Sequence, residues 1–258
     1  MKQFWVMLIK EWKEALRSYK VIWIPVAFML LGAMQPLTTY YMDTLLETLG
    51  GLPEGTVFEV PLPGAAEVLT TVHSQFNQIG VLILVLAFMG ILTAERQQET
   101  HIMVLAKPVS IASFVLAKLV YTALFSTGAY AAGMLFGTYY TIVLFGNVPA
   151  GQITAGALVF LLWLVFIAVL LILFSSFMKS SGAVAFLTIA SALFLHVTAS
   201  MFPETLQLSP GMLALHSNAL LVTGEPLELF AGSMTVSILA ILIFPILSCI
   251  LFRKQKLA

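Results

Sequence analysis

His196 and Ser200 stand one helical turn apart in an otherwise apolar stretch, and a serine beside a histidine is the pairing that a nucleophile and its general base require. No motif frames them, since the chain contains neither Gly-x-Ser-x-Gly nor His-Glu-x-x-His. A neutral His196 hydrogen-bonded to a neighbouring helix, or lining a pathway, accounts for the residue equally well. The histidines His73, His101, His196 and His216 show no spacing that would converge ligands on a metal. The single cysteine, Cys249, excludes an intramolecular disulfide and a multi-cysteine cluster. Gly-x-x-x-x-Gly-Lys-Ser/Thr is absent, so no loop cradles phosphate and the chain is not expected to hydrolyse ATP unaided or to bind a cofactor of its own.

The elements that position these residues are set by composition. Of 258 residues 60% are apolar and 9% charged, against about a quarter charged in a soluble domain, so the fold class is an all-α integral membrane protein. Six long apolar windows, free of charge but for Lys118 in the third, offer the roughly 20 residues needed to cross a bilayer: Val21 to Met42, Gln78 to Ala94, Phe114 to Phe145, Ile153 to Met178, Gly182 to Phe202 and Leu229 to Phe252. They are apolar on every face, which excludes the alternation of a β-barrel. Positive charge segregates sharply, because all 12 Lys and Arg fall on one side of this six-span arrangement. Lys2, Lys10, Lys13, Arg17 and Lys20 precede the first span, Arg96, Lys107 and Lys118 flank the second and third, Lys179 separates the fourth and fifth, and Arg253, Lys254 and Lys256 follow the sixth. The outer loops, 43–77, 146–152 and 203–228, carry acids and no base. Retention of Lys and Arg inside places both termini in the cytoplasm of a multi-pass protein of the cytoplasmic membrane. The basic head contains Glu11 and Glu14 and no cleavage-like site follows it, so it is not expected to be a removed signal.

Residues 1–20 form the first of two regions, and the transmembrane domain, 21–258, the second. Phe4, Leu8, Trp12, Ala15 or Leu16 and Tyr19 recur at helical spacing opposite Lys10, Lys13, Glu14 and Arg17, which predicts a helix lying in the cytoplasmic interface with Trp5 and Trp12 at headgroup depth. Within 95–110, a short helix over Gln97 to Ala106 should stop before Pro108, and Ser110 should cap the third span. Ile102, Met103, Val104 and Leu105 make this loop a small apolar knob, suited to lipid or to a partner's socket. In the outer segment after the fifth span, Ser209, Pro210 and Gly224 frame a helix of about thirteen residues, too short to span and expected to be re-entrant or superficial. Gln35-Pro36 and Pro245 interrupt helical bonding in their spans, and Ala129, Gly133 and Gly137 repeat small residues every four positions, as in a close-packing stripe. Lys118 sits one to two turns into its span, where its ammonium can snorkel to the interface.

Glu95-Arg96-x-x-x-Thr100, followed by Pro108-Val109-Ser110 and Lys118, resembles the signature of type-2 ATP-binding-cassette exporter permeases, Glu-Arg-x-x-Gly-Thr, then Pro-Val-Ser, then Gly-Lys. Glu99 and Ala117 replace the family's glycines. Phe174 to Ala183 looks like the family's turn between its fourth and fifth spans, and the Ser209-Pro210 helix like its outer re-entrant segment. The resemblance implies a permease subunit that pairs with a second copy or a paralogue and with two cytoplasmic P-loop ATPases, which hold ATP and Mg. It also implies that the loop of Glu95, Arg96, Glu99, Thr100, Ile102, Met103 and Pro108 is the coupling helix seated in the ATPase. Amphipathic or hydrophobic cargo, such as a peptide, lipid or drug, would be moved outward by alternating access, with Gln35, His196, Gly133 and Gly137 as pathway or packing positions. Two other classes remain open: an ATP-independent channel or secondary transporter, and an intramembrane enzyme using His196 and Ser200. No nucleic-acid partner is expected.

Overall fold

A computed structural model describes residues 2–42, 44–45, 62–97 and 110–255. Every regular element among them is helical. In chain order these are α1, Lys2–Arg17; α2, Lys20–Tyr40; α3, Ala65–Gln75; a π-helical turn, Phe76–Gly80; α4, Val81–Phe88; α5, Thr93–Gln97; α6, Ile111–Phe145; α7, Ala150–Phe177; α8, Ser181–Met201; α9, Met212–Val222; and α10, Phe230–Gln255. Six runs are long and apolar enough to cross a membrane: Lys20–Tyr40, Ala65–Arg96, Ile111–Phe145, Ala150–Phe177, Ser181–Met201 and Phe230–Lys254.

The second run differs most from its expected bounds. It begins at Ala65 rather than Gln78, because α3 folds a polar segment into the bundle. Thr70 and Thr71 return their hydroxyls to the carbonyls of Glu67 and Val68, and Ser74 to that of Thr70, so the polar groups are satisfied within the helix. Glu67 also accepts the Gly64 amide at 3.2 Å and closes the first turn. Helices α2 and α10 run without a break through Pro25 and Pro36 and through Pro245, so neither expected interruption divides a span.

The bundle is built around α7, where Trp163, Leu164, Leu171 and Ile172 are fully enclosed by α6, α8, α9 and α10. Helix α2 lies along the second half of α6 at backbone contact. A Cβ on Gly32 would fall 2.1 Å from the Gly133 carbonyl oxygen, and one on Gly133 would fall 2.6 Å from that of Phe28. Only glycine permits this approach.

Helix α1 follows the first turns of α6 in step: the Gln3 side chain accepts the Ser110 amide, Glu11 meets Lys118, and Trp12 packs on Tyr121 and Phe125. At 1.5 Å per residue the 35-residue α6 is about 52 Å long, well beyond a hydrocarbon core of about 30 Å, and α1 covers the excess. Leu8 and Ala15 are buried in this contact, while Leu16 and Tyr19, placed on the same apolar stripe by spacing alone, are exposed. Tyr19, at φ 57°, makes the left-handed turn into α2. Helix α9 is buried along most of its length and starts so close to α8 that a Cβ on Gly211 would sit 2.1 Å from the Leu195 oxygen.

Candidate functional site

Glu95 and Arg96 lie in α5, at the root of the 98–109 segment, and their side chains leave that short helix in different directions. Glu95 turns toward α1 and α6. The Lys118 ammonium donates to Glu11 Oε1 at 2.7 Å and to Glu95 Oε1 at 3.1 Å, and Lys10 donates to the same Glu95 oxygen. The order Glu11, Lys118, Glu95, Lys10 alternates in sign, with Glu11 and Lys118 buried and the Lys10 side chain 40% exposed at the open end. Lys118 is 2% exposed and rests over the Phe114 ring, so its ammonium reaches the carboxylates rather than water. Its charge is met inside the protein instead.

Burial pushes the Glu11 carboxyl up, against the pull of Lys118. For Lys10 burial acts downward, but the bond to Glu95 and the nearby carboxylates outweigh it and raise the pKa. A cavity of about 590 Å³ adjoins the quartet, lined among others by Glu14, Ser18, Lys20, Phe88 and Tyr121. Carboxylate oxygens of Glu11, Glu14 and Glu95 lie within 4.8 Å of one another, a spacing a cation could bridge. The Lys118 and Lys10 ammonium groups already bring positive charge to two of the three.

Arg96 turns to the other side of α5. Its guanidinium donates to the carbonyls of Ser175, Ser176 and Met178 at 3.1, 2.9 and 3.1 Å and stacks 5.0 Å from the Phe252 ring. The carbonyls that close a helix have no partner within it, and their dipole favours a cation. Arg96 thus caps α7 while touching the end of α10. One turn earlier, Thr93 shares a 2.6 Å hydrogen bond with Ser181 at the start of α8. Helix α5 is therefore fastened to α1 and α6 on one side and to α7, α8 and α10 on the other.

A second polar centre, absent from the sequence reading, lies between α3, α6, α7 and α9. His73 is bonded through Nε2 to the Tyr130 hydroxyl at 2.9 Å and through Nδ1 to Ser217 Oγ at 2.9 Å, and Ser217 Oγ also donates to the Gly156 carbonyl at 2.8 Å. Because that carbonyl can only accept, the single Ser217 proton is committed to it. His73 then donates from Nδ1, and Tyr130 donates to Nε2. The imidazole stacks on Phe160 at 4.8 Å. Nearby, Trp163 donates to Asn77 at 2.7 Å. His73, Tyr130 and Ser217 are at most 3% exposed, and Gly156 is buried.

The serine–histidine pair that spacing allowed for His196 and Ser200 does not form. Ser200 donates to the Val197 carbonyl at 2.9 Å, and His196 Nδ1 is buried without a hydrogen-bond partner. Gly133 and Gly137 face Gly32, and the Gln35 carbonyl accepts from Thr38 within α2. Glu99, Thr100, Ile102, Met103 and Pro108 lie outside the described residues, as does the helix expected over Gln97 to Ala106 beyond its first residue.

No family model matches the sequence. The chain is 31% identical over 256 residues to the uncharacterized transmembrane protein YxlG of Bacillus subtilis (strain 168), an alignment that takes in 99% of both chains. Identity sustained along the whole length, on a six-span helical bundle, places the chain in the same family of multi-span membrane proteins as YxlG.

Proposed function

We propose that the chain is the permease subunit of an ATP-driven exporter of the type-2 ATP-binding-cassette class, moving amphipathic or hydrophobic cargo outward. ATP and Mg would be held by two separate cytoplasmic P-loop ATPases, and the permease would pair with a second copy or a paralogue. The chain sits in the bacterial cytoplasmic membrane with both termini inside, α1 at the cytoplasmic interface, α9 as the outer re-entrant helix and the 98–109 segment as the coupling element.

The observation that carries this reading is the double fastening of α5. A coupling element must pass a push to several spans at once, and Glu95 and Arg96 tie the root of this segment to α1 and α6 and to α7 and α10. The signature around these residues and the missing phosphate loop point the same way. On this reading Glu95 and Arg96 transmit force within the permease, while Ile102 and Met103 make the contact with the ATPase.

Affinity purification in mild detergent from the native membrane tests the assignment. A P-loop ATPase should co-purify in stoichiometric amount, and I102S/M103S should lose it while remaining monodisperse and correctly inserted. Recovery of the chain alone in several detergents, with no ATPase activity in the eluate, would overturn the proposal in favour of an autonomous channel or transporter.

A further inference from the structure

The charged residues of α1 are sorted by face. Glu11 points inward to Lys118, and Glu14 lines the cavity beside the quartet. Lys13 and Arg17, one turn apart, are exposed and make no ion pair among the described residues. Next to them runs an apolar stripe that α6 does not cover: Trp5 is 59% exposed, Ile9 51% and Leu16 60%. Val6, Ile9, Lys10, Lys13 and Arg17, with Glu14 at the inner edge, line a shallow groove of about 470 Å³. A helix facing water would not present this much contiguous apolar surface. A helix at the edge of a bilayer would, with its bases at the height of the lipid phosphates.

We infer that the outward face of α1 is a docking surface for anionic phospholipids, the apolar stripe taking acyl chain and Lys13 and Arg17 taking the phosphate-bearing headgroup. Charge complementarity selects this occupant. The groove is lined by three bases, Lys10, Lys13 and Arg17, against one acid, the exposed Glu14, while the other acid of α1, Glu11, is buried against Lys118, so the open face is net cationic. The inference requires only that the chain spans a membrane and stands whether or not it is an exporter. It joins bilayer charge to the candidate site, because Lys10 and Glu11 of the same helix hold Glu95 and Lys118.

The test is lipid titration of the full-length chain in delipidated micelles, followed by native mass spectrometry, with dioleoyl phosphatidylglycerol, dioleoyl phosphatidylcholine and inorganic phosphate as probes. Phosphatidylglycerol should bind more tightly than phosphatidylcholine, and the preference should weaken as salt rises. At about 1 kcal/mol per surface base, K13Q should lower phosphatidylglycerol affinity roughly fivefold and K13Q/R17Q roughly thirtyfold. R253Q/K254Q, an equal change in charge at the exposed end of α10, should leave most of the preference intact. Equal binding of the two lipids, an equal loss in R253Q/K254Q, or full competition by inorganic phosphate would overturn the inference. So would a K13Q/R17Q protein that keeps its lipids but loses a co-purifying protein, which would make the face a protein contact. Both variants alter exposed side chains, and circular dichroism with gel filtration confirms that they fold.

Discussion

The quartet around Glu95, open to solvent at Lys10, and the buried node around His73 hold their polar groups in opposite ways. The quartet is built from full charges on α1, α5 and α6 whose signs cancel. The node is neutral and directional, with each proton assigned by the groups around it. Removing one member of an alternating charge set leaves a charge unpaired in a poorly hydrated place, whereas removing one hydroxyl from the node leaves a single unmet dipole. On the proposed exporter reading, a coupling element needs the first kind of joint, rigid when complete and sensitive to any change in partners. The packing of α3, α6, α7 and α9 needs only the second.

The largest expected effect follows from Lys118→Met, which leaves Glu11 and Glu95 facing each other with no ammonium between them. It should cost about 3–5 kcal/mol of stability, seen in detergent as a large fall in Tm, and E11Q/K118M should recover much of it. A K118M protein as stable as the parent would end the contrast between the two centres. Arg96→Gln should come next, at about 2 kcal/mol for charge-assisted bonds to three α7 carbonyls, with faster amide exchange confined to the α7–α8 turn. Ser217→Ala should cost about 1 kcal/mol and Tyr130→Phe about 0.6 kcal/mol, the usual range for hydrogen bonds between membrane helices. A double-mutant cycle between Ser217 and Tyr130 measures their coupling through His73. The smallest effect belongs to Ser200→Ala, which should change neither stability nor transport, because its hydroxyl bonds only to its own helix.

The six spans were legible because a bilayer imposes a minimum apolar length that hydropathy reads directly. The beginning of the second span was not, since Thr70, His73 and Ser74 in α3 and Asn77 in the turn after it make this stretch look like a loop until their partners are known. Two of those partners, Ser217 and Trp163, are distant in sequence, and nothing in a single chain joins them to His73 and Asn77. The Glu95-Arg96 pair was visible by its resemblance, but its internal partners were not. Glu11 in a basic head and Lys118 in an apolar span were each out of place, and together they were a usable signal: an isolated base in a span requires an acid at matching depth. The small-residue stripe of α6 was legible, and the structure supplies the partner glycine, Gly32. His196 and Ser200 show the reverse case, where correct spacing on a helix brought no contact.

The π-helical turn at Phe76–Gly80 has a consequence for how α5 is aimed. Such a turn takes up one residue more than an α-helical turn, and one residue corresponds to about 100° of rotation about the helix axis. It therefore works as a phase shifter within the second span, setting the azimuth of everything below it against the His73 face above. If the turn closed up as α-helix with no residue removed, position 95 would take the bearing of position 96. A carboxylate would then face the three carbonyls at the end of α7, which would lose their donor.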